Sequence, residues 1–245
     1  MINMHRITLK NIAFAVRIAL LALLLAGLAG CSGEKQEPAA AGGKNAVPES
    51  FTFFDLGANS LFSDVTRRSL EEKLGHDAIL LRNMVNLEVN YKGFLKQYFP
   101  DLDKLNRRLN SDIGERIDHN TTKLTYRYAS TRNVPFDYVE ILFSNYSKKP
   151  ILLNIRFKKD TLGTIDRLKS KYGPAEQIDW EKETGQTLYW KKNQDYLMVS
   201  MEPDQLGEIE HRVTIYFTAN LQQLIQAEQA EQLRGNQSKP GKNAF

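Results

Sequence analysis

Two stretches of this chain carry the same succession of apolar patterns, and that repetition limits the fold more than any other feature. Residues 137–143, DYVEILF, are echoed by residues 195–201, DYLMVSM. Residues 153–157, LNIRF, are echoed sixty residues later by residues 213–217, VTIYF. Upstream, residues 123–128, KLTYRY, stand where residues 187–190, TLYW, stand in the second copy. Each segment alternates with period two and is rich in β-branched or aromatic residues, so each reads as a strand. Helical spacing repeats too. Leu70, Leu74 and Gly75 lie 98 residues before Leu168, Tyr172 and Gly173. Leu162, Ile165, Leu168 and Tyr172 share one helical face, Asp160 or Thr161 can cap its start, and Gly173-Pro174 stops it.

The pattern predicts an α+β fold of two helix-plus-antiparallel-sheet units, residues 51–158 and 159–225, each a helix laid on a three-strand meander. The strand links are too short for parallel crossovers. Val139, Ile141, Phe143, Ile151, Leu153, Ile155 and Phe157 are expected to face the first helix layer. Leu197, Val199, Met201, Val213, Ile215 and Phe217 are expected to face the second. The first unit carries an insertion, residues 91–110, that reads as two short helices parted by Pro100 with Asp101 as the second N-cap. Leu95, Tyr98, Leu102, Leu105 and Leu109 make one apolar stripe there, read as core packing.

Residues 1–30 have a basic start with Arg6, Lys10 and Arg17, an apolar run over residues 18–28, and a small-residue end. That is the anatomy of a secretory signal peptide. A membrane span is the alternative, but eleven apolar residues rise only about 16 Å, roughly half a hydrocarbon core. Extending the run upstream to Ile12 would enclose Arg17. The signal closes on Leu28-Ala29-Gly30-Cys31, and Cys31 is the sole cysteine of 245 residues. This resembles the lipobox of bacterial lipoproteins. The resemblance implies a thioether-linked lipid on Cys31, cleavage before it and acylation of the new amino group. Ser32, rather than Asp, follows Cys31. In the resembled lipoproteins that implies the outer membrane, with the domain facing the periplasm. Residues 31–50 read as a flexible tether with an r.m.s. span of roughly 24 Å. Residues 226–245 read as a fraying helix and disordered tail.

Removing the signal takes three of the 33 Lys and Arg residues and leaves 30 basic against 29 acidic side chains. A chain so nearly neutral has no broad electrostatic footprint for nucleic acid. With no cysteine beyond Cys31, intrachain disulfides are excluded. His76, His119 and His211 show no metal-ligand spacing, so no metal or other cofactor is expected. No GxSxG, GxxxxGK or GxGxxG occurs. Residues 118–122, DHNTT, read as a plain turn rather than a catalytic histidine site.

The strand alternation also sets one row of side chains opposite the helix layer. Arg127, Tyr138, Tyr189, Tyr196, Met198, Arg212 and Tyr216 fall on it, and Tyr, Met and Arg are enriched at protein interfaces. They are the candidate binding residues. Cover by the insertion, the tail or the second sheet is the competing reading. A lipid signal followed by short α/β meander units resembles, over residues 60–225, the small lipoprotein of the outer-membrane β-barrel assembly machine and the tandem repeats of the β-lactamase inhibitor protein. That resemblance implies protein binding. The expected function is a non-enzymatic binding or scaffold module of the bacterial envelope, with another envelope protein or polymer as partner. The alternative is a periplasmic hydrolase whose site is assembled from distant residues.

Overall fold

A computed structural model describes residues 49–237, apart from 112, 128, 133, 159, 161, 162 and 181–183. The signal peptide, Cys31 and most of the tether lie outside the described residues. Helix α1 (Asp64–Leu74) leads into β1 (Ala78–Asn83). Helices α2 (Phe94–Tyr98) and α3 (Pro100–Leu109) intervene before β2 (His119–Tyr126), β3 (Tyr138–Ser144) and β4 (Pro150–Phe157). The order then recurs as α4 (Thr164–Tyr172), β5 (Glu176–Asp179), β6 (Gln186–Lys192), β7 (Asp195–Pro203) and β8 (Ile209–Tyr216), and α5 (Thr218–Gln237) follows.

All eight strands belong to one antiparallel sheet in the order β1-β2-β3-β4-β8-β7-β6-β5. The α+β class is as the sequence indicates. Each unit, however, has four strands rather than three, and the two meanders fuse through β4 and β8. The order is palindromic, so an approximate twofold relates the units. The fourth strands are the outer edges. β1 is apolar without alternation and β5 is short and polar, so neither shows the period-two signal of a half-buried strand.

The repeat extends to helix ends. Gly75 at φ 86° and Gly173 at φ 89° close α1 and α4, each donating its N–H at 2.8 Å to the carbonyl four residues back. A side chain would be strained at such φ values. Asp160 caps α4, accepting from the N–H groups of Thr164 at 2.5 Å and Ile165 at 3.1 Å. Asp101 is not the cap of α3. Pro100 takes the first helical position, where its missing N–H costs nothing, and Phe99 precedes it.

Both sheet faces are covered. On one, Val139, Ile141, Phe143, Leu153, Ile155 and Phe157 continue into Leu197, Val199, Val213, Ile215 and Phe217. They pack against α1, α4 and a leading segment carrying Phe51, Phe53 and Leu56. Ile151 is the exception. A register shift at Leu142/Phe143 displaces it, and it packs on the opposite face. That opposite face carries Leu142, Leu152, Tyr196, Met198 and Tyr216. It lies beneath Leu95, Phe99, Leu102, Leu105 and Leu109 of the insertion and Leu221, Leu224 and Ile225 of α5. The insertion of the first unit thus acts as a strap across the shared sheet. Tyr216 is fully buried and its hydroxyl donates to the Leu87 carbonyl at 2.9 Å.

Residues expected to be tail are helical up to Gln237, and polar contacts hold them. Buried Asp195 caps α5, accepting from Thr218 N–H at 2.7 Å and from the Ser50 hydroxyl at 2.5 Å. Ser50, expected as tether, is therefore already part of the fold. Further along α5, Glu228 accepts from the Asn120 N–H at 2.9 Å and lies 2.7 Å from His119 Nδ1. His119 opens β2 instead of sitting in a turn, and its Nε2 meets the Leu109 carbonyl at 2.8 Å. Both ring nitrogens face oxygen acceptors, an arrangement that favours the doubly protonated ring. Burial lowers its pKa, but the hydrogen bond and charge of Glu228, with the Leu109 carbonyl and nearby Asp118, outweigh that and hold it above the ordinary value.

Two outcomes follow from this packing. Tyr216→Ala should destabilise the protein by roughly 3–5 kcal/mol in urea unfolding, because it removes a buried aromatic. A cost below about 1 kcal/mol would contradict the burial. The raised pKa of His119 gives stability that is complete below the unfolded value, about 6.5, and lost as pH rises through the folded value. Unfolding midpoints measured from pH 6 to 9 should fall in the native protein and flatten at that step in His119→Gln.

Candidate functional site

The strap and α5 leave one end of their sheet face open. There the ends of β2 and β4 and the starts of β3 and β8 come together. On the strap side of these strands, Tyr138 pairs with Arg156, and Arg156 with Arg212. The adjoining row runs through Glu140, Asn154 and Thr214. All are polar, in contrast to the apolar residues farther along the same face.

The row is organised around Arg156. Its guanidinium lies 4.4 Å from the centre of the Tyr138 ring. The Tyr138 hydroxyl donates to Glu140 at 2.8 Å, and Glu140 lies 3.3 Å from Lys123 Nζ. Lys123, Glu140, Tyr138 and Arg156 therefore form a relay that fixes the orientation of the last cation. Burial, with the Glu140 hydrogen bond, pushes the Tyr138 hydroxyl above its usual pKa, so it stays a donor at neutral pH. Among the described residues Arg156 pairs with no carboxylate. Arg212, one strand over, is neutralised by Glu202 at 3.4 Å and Glu210 at 3.8 Å.

Arg156 and Tyr138 open into a groove of about 610 Å³ that Arg127, Asp137, Lys158 and Glu210 also line. Lys158 is held by Asp204 at 2.8 Å, which raises its pKa. Arg127 is exposed at the rim. Two buried polar atoms on the same strip, Asn154 Oδ1 and Thr214 Oγ1, make no hydrogen bond to a described residue. The groove thus offers a stacked, pre-oriented guanidinium with a second arginine near it. Such a fork matches the two oxygens of a carboxylate or phosphate.

The seven residues expected to form one binding row separate into three places. Arg127 and Tyr138 line the groove, and Arg212 reaches its edge through Glu210. Tyr189 lines a second cavity of about 350 Å³ with Lys171, Tyr172 and Lys191, and its hydroxyl donates to Glu176, which raises its pKa to about 12. Tyr196, Met198 and Tyr216 are core residues at 5%, 0% and 0% exposure, because the strap and α5 cover them. Period-two alternation names the residues of a face but not what lies over it. Arg156 shares that alternation, and what sets it apart is its stacking on the Tyr138 ring, which is a tertiary property.

No family model, curated protein or solved structure matches this chain.

The relay gives a direct check. Tyr138→Ala should leave Arg156 unsupported while altering stability little, since Tyr138 is only half-buried. Titration of Tyr138→Ala by ultraviolet absorbance should remove one tyrosine that ionises above the usual value of about 10. Loss of a tyrosine with an ordinary pKa would break the proposed link to Glu140.

Proposed function

We propose that this chain is a lipid-anchored protein of the bacterial envelope whose folded unit is a non-enzymatic binding module. Its target is an anionic group, a carboxylate or phosphate, of an envelope protein or polymer. The observation that carries the reading is the guanidinium of Arg156, stacked on Tyr138 in an open groove and paired with no carboxylate among the described residues. A cation ordered by its neighbours loses little side-chain freedom on binding, so more of each hydrogen bond appears as affinity.

The anchor rests on the lipobox at residues 28–31. Ser32 after Cys31 supports placement in the outer membrane, facing the periplasm.

Two experiments separate anchor from groove. Cys31→Ser should abolish incorporation of labelled palmitate and release the protein from membrane fractions; unchanged labelling would remove the anchor. Arg127→Ala with Arg156→Ala should weaken capture of the partner from the protein's own membranes. Losing a charge-assisted hydrogen bond at each arginine predicts a loss of affinity of at least about 10-fold. The thermal midpoint should stay nearly constant, because neither side chain is in the core. Undiminished capture by the double variant would show that the groove is not the site.

A further inference from the structure

The two edges of the sheet are built differently. Edge strand β5 is four residues long, follows Pro174, and exposes Glu176, Gln177 and Asp179. These are the usual protections of a strand that must stay unpaired. Edge strand β1 keeps such features only at its end, in the charge of Arg82 and the register shift beside it. It reads AILLRN, contains no proline and carries a single charge, Arg82. Ile79, Leu80 and Leu81 are 41%, 51% and 67% exposed, and Met84 beyond them is 49% exposed. Its partner in the sheet is β2 alone, so its other side presents backbone donors and acceptors outward.

We infer that β1 is a pairing edge and that its occupant is β1 of a second copy of this chain. The sequence of the strand is self-complementary in one antiparallel register. With the dyad on Leu80, Leu80 faces its own copy and Ile79 faces Leu81, so apolar residues meet only apolar residues. Arg82 then faces Ala78, and no like charges oppose. Residues directly opposite lie on the same side of a sheet, so this register keeps both sheet faces continuous. Shifting the dyad by one residue sets Asp77 against Leu81 or Arg82 against Leu80. The pairing also extends a rule the molecule already follows, since β4 and β8 join two like units antiparallel about an approximate twofold.

The length of the contact is set by Arg82. Its φ of +56° and the register shift between Leu81 and Asn83 turn the chain out of the strand. Regular pairing is centred on residues 79–81, with Ala78 and Arg82 at its ends, which makes an interface smaller than the roughly 1,200 Å² of a standard stable complex. The dimer should therefore be weak, with a dissociation constant in the micromolar range, about 1–100 μM.

The folded unit of residues 46–245 suits the test, because both cores are built within it and it lacks cysteine. Sedimentation equilibrium should show reversible dimerisation, and Leu80→Lys with Leu81→Lys should abolish it with an unchanged thermal midpoint. Leu80→Cys should form a disulfide-linked dimer under mild oxidation. Opposed residues of an antiparallel pair have Cα atoms about 4.5–5.5 Å apart, within disulfide reach. Val65→Cys, at a position on α1 that is 71% exposed, should not link. A unit that stays monomeric at about 1 mM, far above the expected constant, would overturn the inference. So would a dimer that survives the double lysine variant. Monomeric protein that binds anionic lipid vesicles and releases them in that variant would also overturn it, assigning β1 to the membrane surface.

Discussion

The β4–β8 pair is the constraint on which the rest depends. Six register pairs, from Leu152 opposite Tyr216 to Phe157 opposite His211, make two four-strand meanders into one sheet. Fusion doubles the area that must be covered and fixes what can cover it. On one face the repeated helices α1 and α4 do so symmetrically, each closing at a positive-φ glycine. On the other face there is no repeated helix, and the cover comes from two elements that occur once: the strap and α5.

Those two elements tie distant parts of the chain together. The strap leaves the first unit and ends against the second, where Phe94 packs on Trp180 and Phe99 on Tyr189 and Tyr196. Helix α5 leaves the second unit and returns to the first through Glu228 and His119. Each cover crosses the seam, so opening the seam would expose both cores together. Asp195 adds a third tie, joining Ser50 before α1 to the start of α5. Its carboxyl is pushed up by burial, a cost that the helix N-terminus and the Ser50 hydroxyl partly offset.

The six inner strands were legible because each buries alternate residues on the helix face, and burial of that kind writes itself into composition. The repeat was legible for the same reason. The outer strands were not, since an edge exposes both sides of each residue. Residues 118–122 resemble a turn by local propensity, yet residues 119–122 are strand, held by pairing with β1 and β3 and by Glu228, 109 residues away from His119. The misplaced binding residues teach the most. Tyr196, Met198 and Tyr216 are of the types enriched at interfaces, but a face covered by a strap of the same chain selects the same types. Composition separates apolar from polar faces; it does not separate an internal partner from an external one.

That argument sharpens the meaning of Arg156. Along β4 the strap-side residues change from Leu152, beneath the covering elements, to Asn154 and then Arg156 at the open end. The change tracks where the cover stops. Solvation alone would account for a polar residue there, but not for a guanidinium stacked on a ring that is in turn fixed by Glu140 and Lys123. A solvated arginine keeps its rotamer freedom, which is worth about 2 kcal/mol. Here that freedom is curtailed without a carboxylate to reward it in the free protein. Adjacent Arg212 has its acidic partners Glu202 and Glu210, so the same sheet supplies the neutralised alternative one strand away. The difference between the two arginines is the physical ground for the proposed role of Arg156, with Arg212 part of the framework.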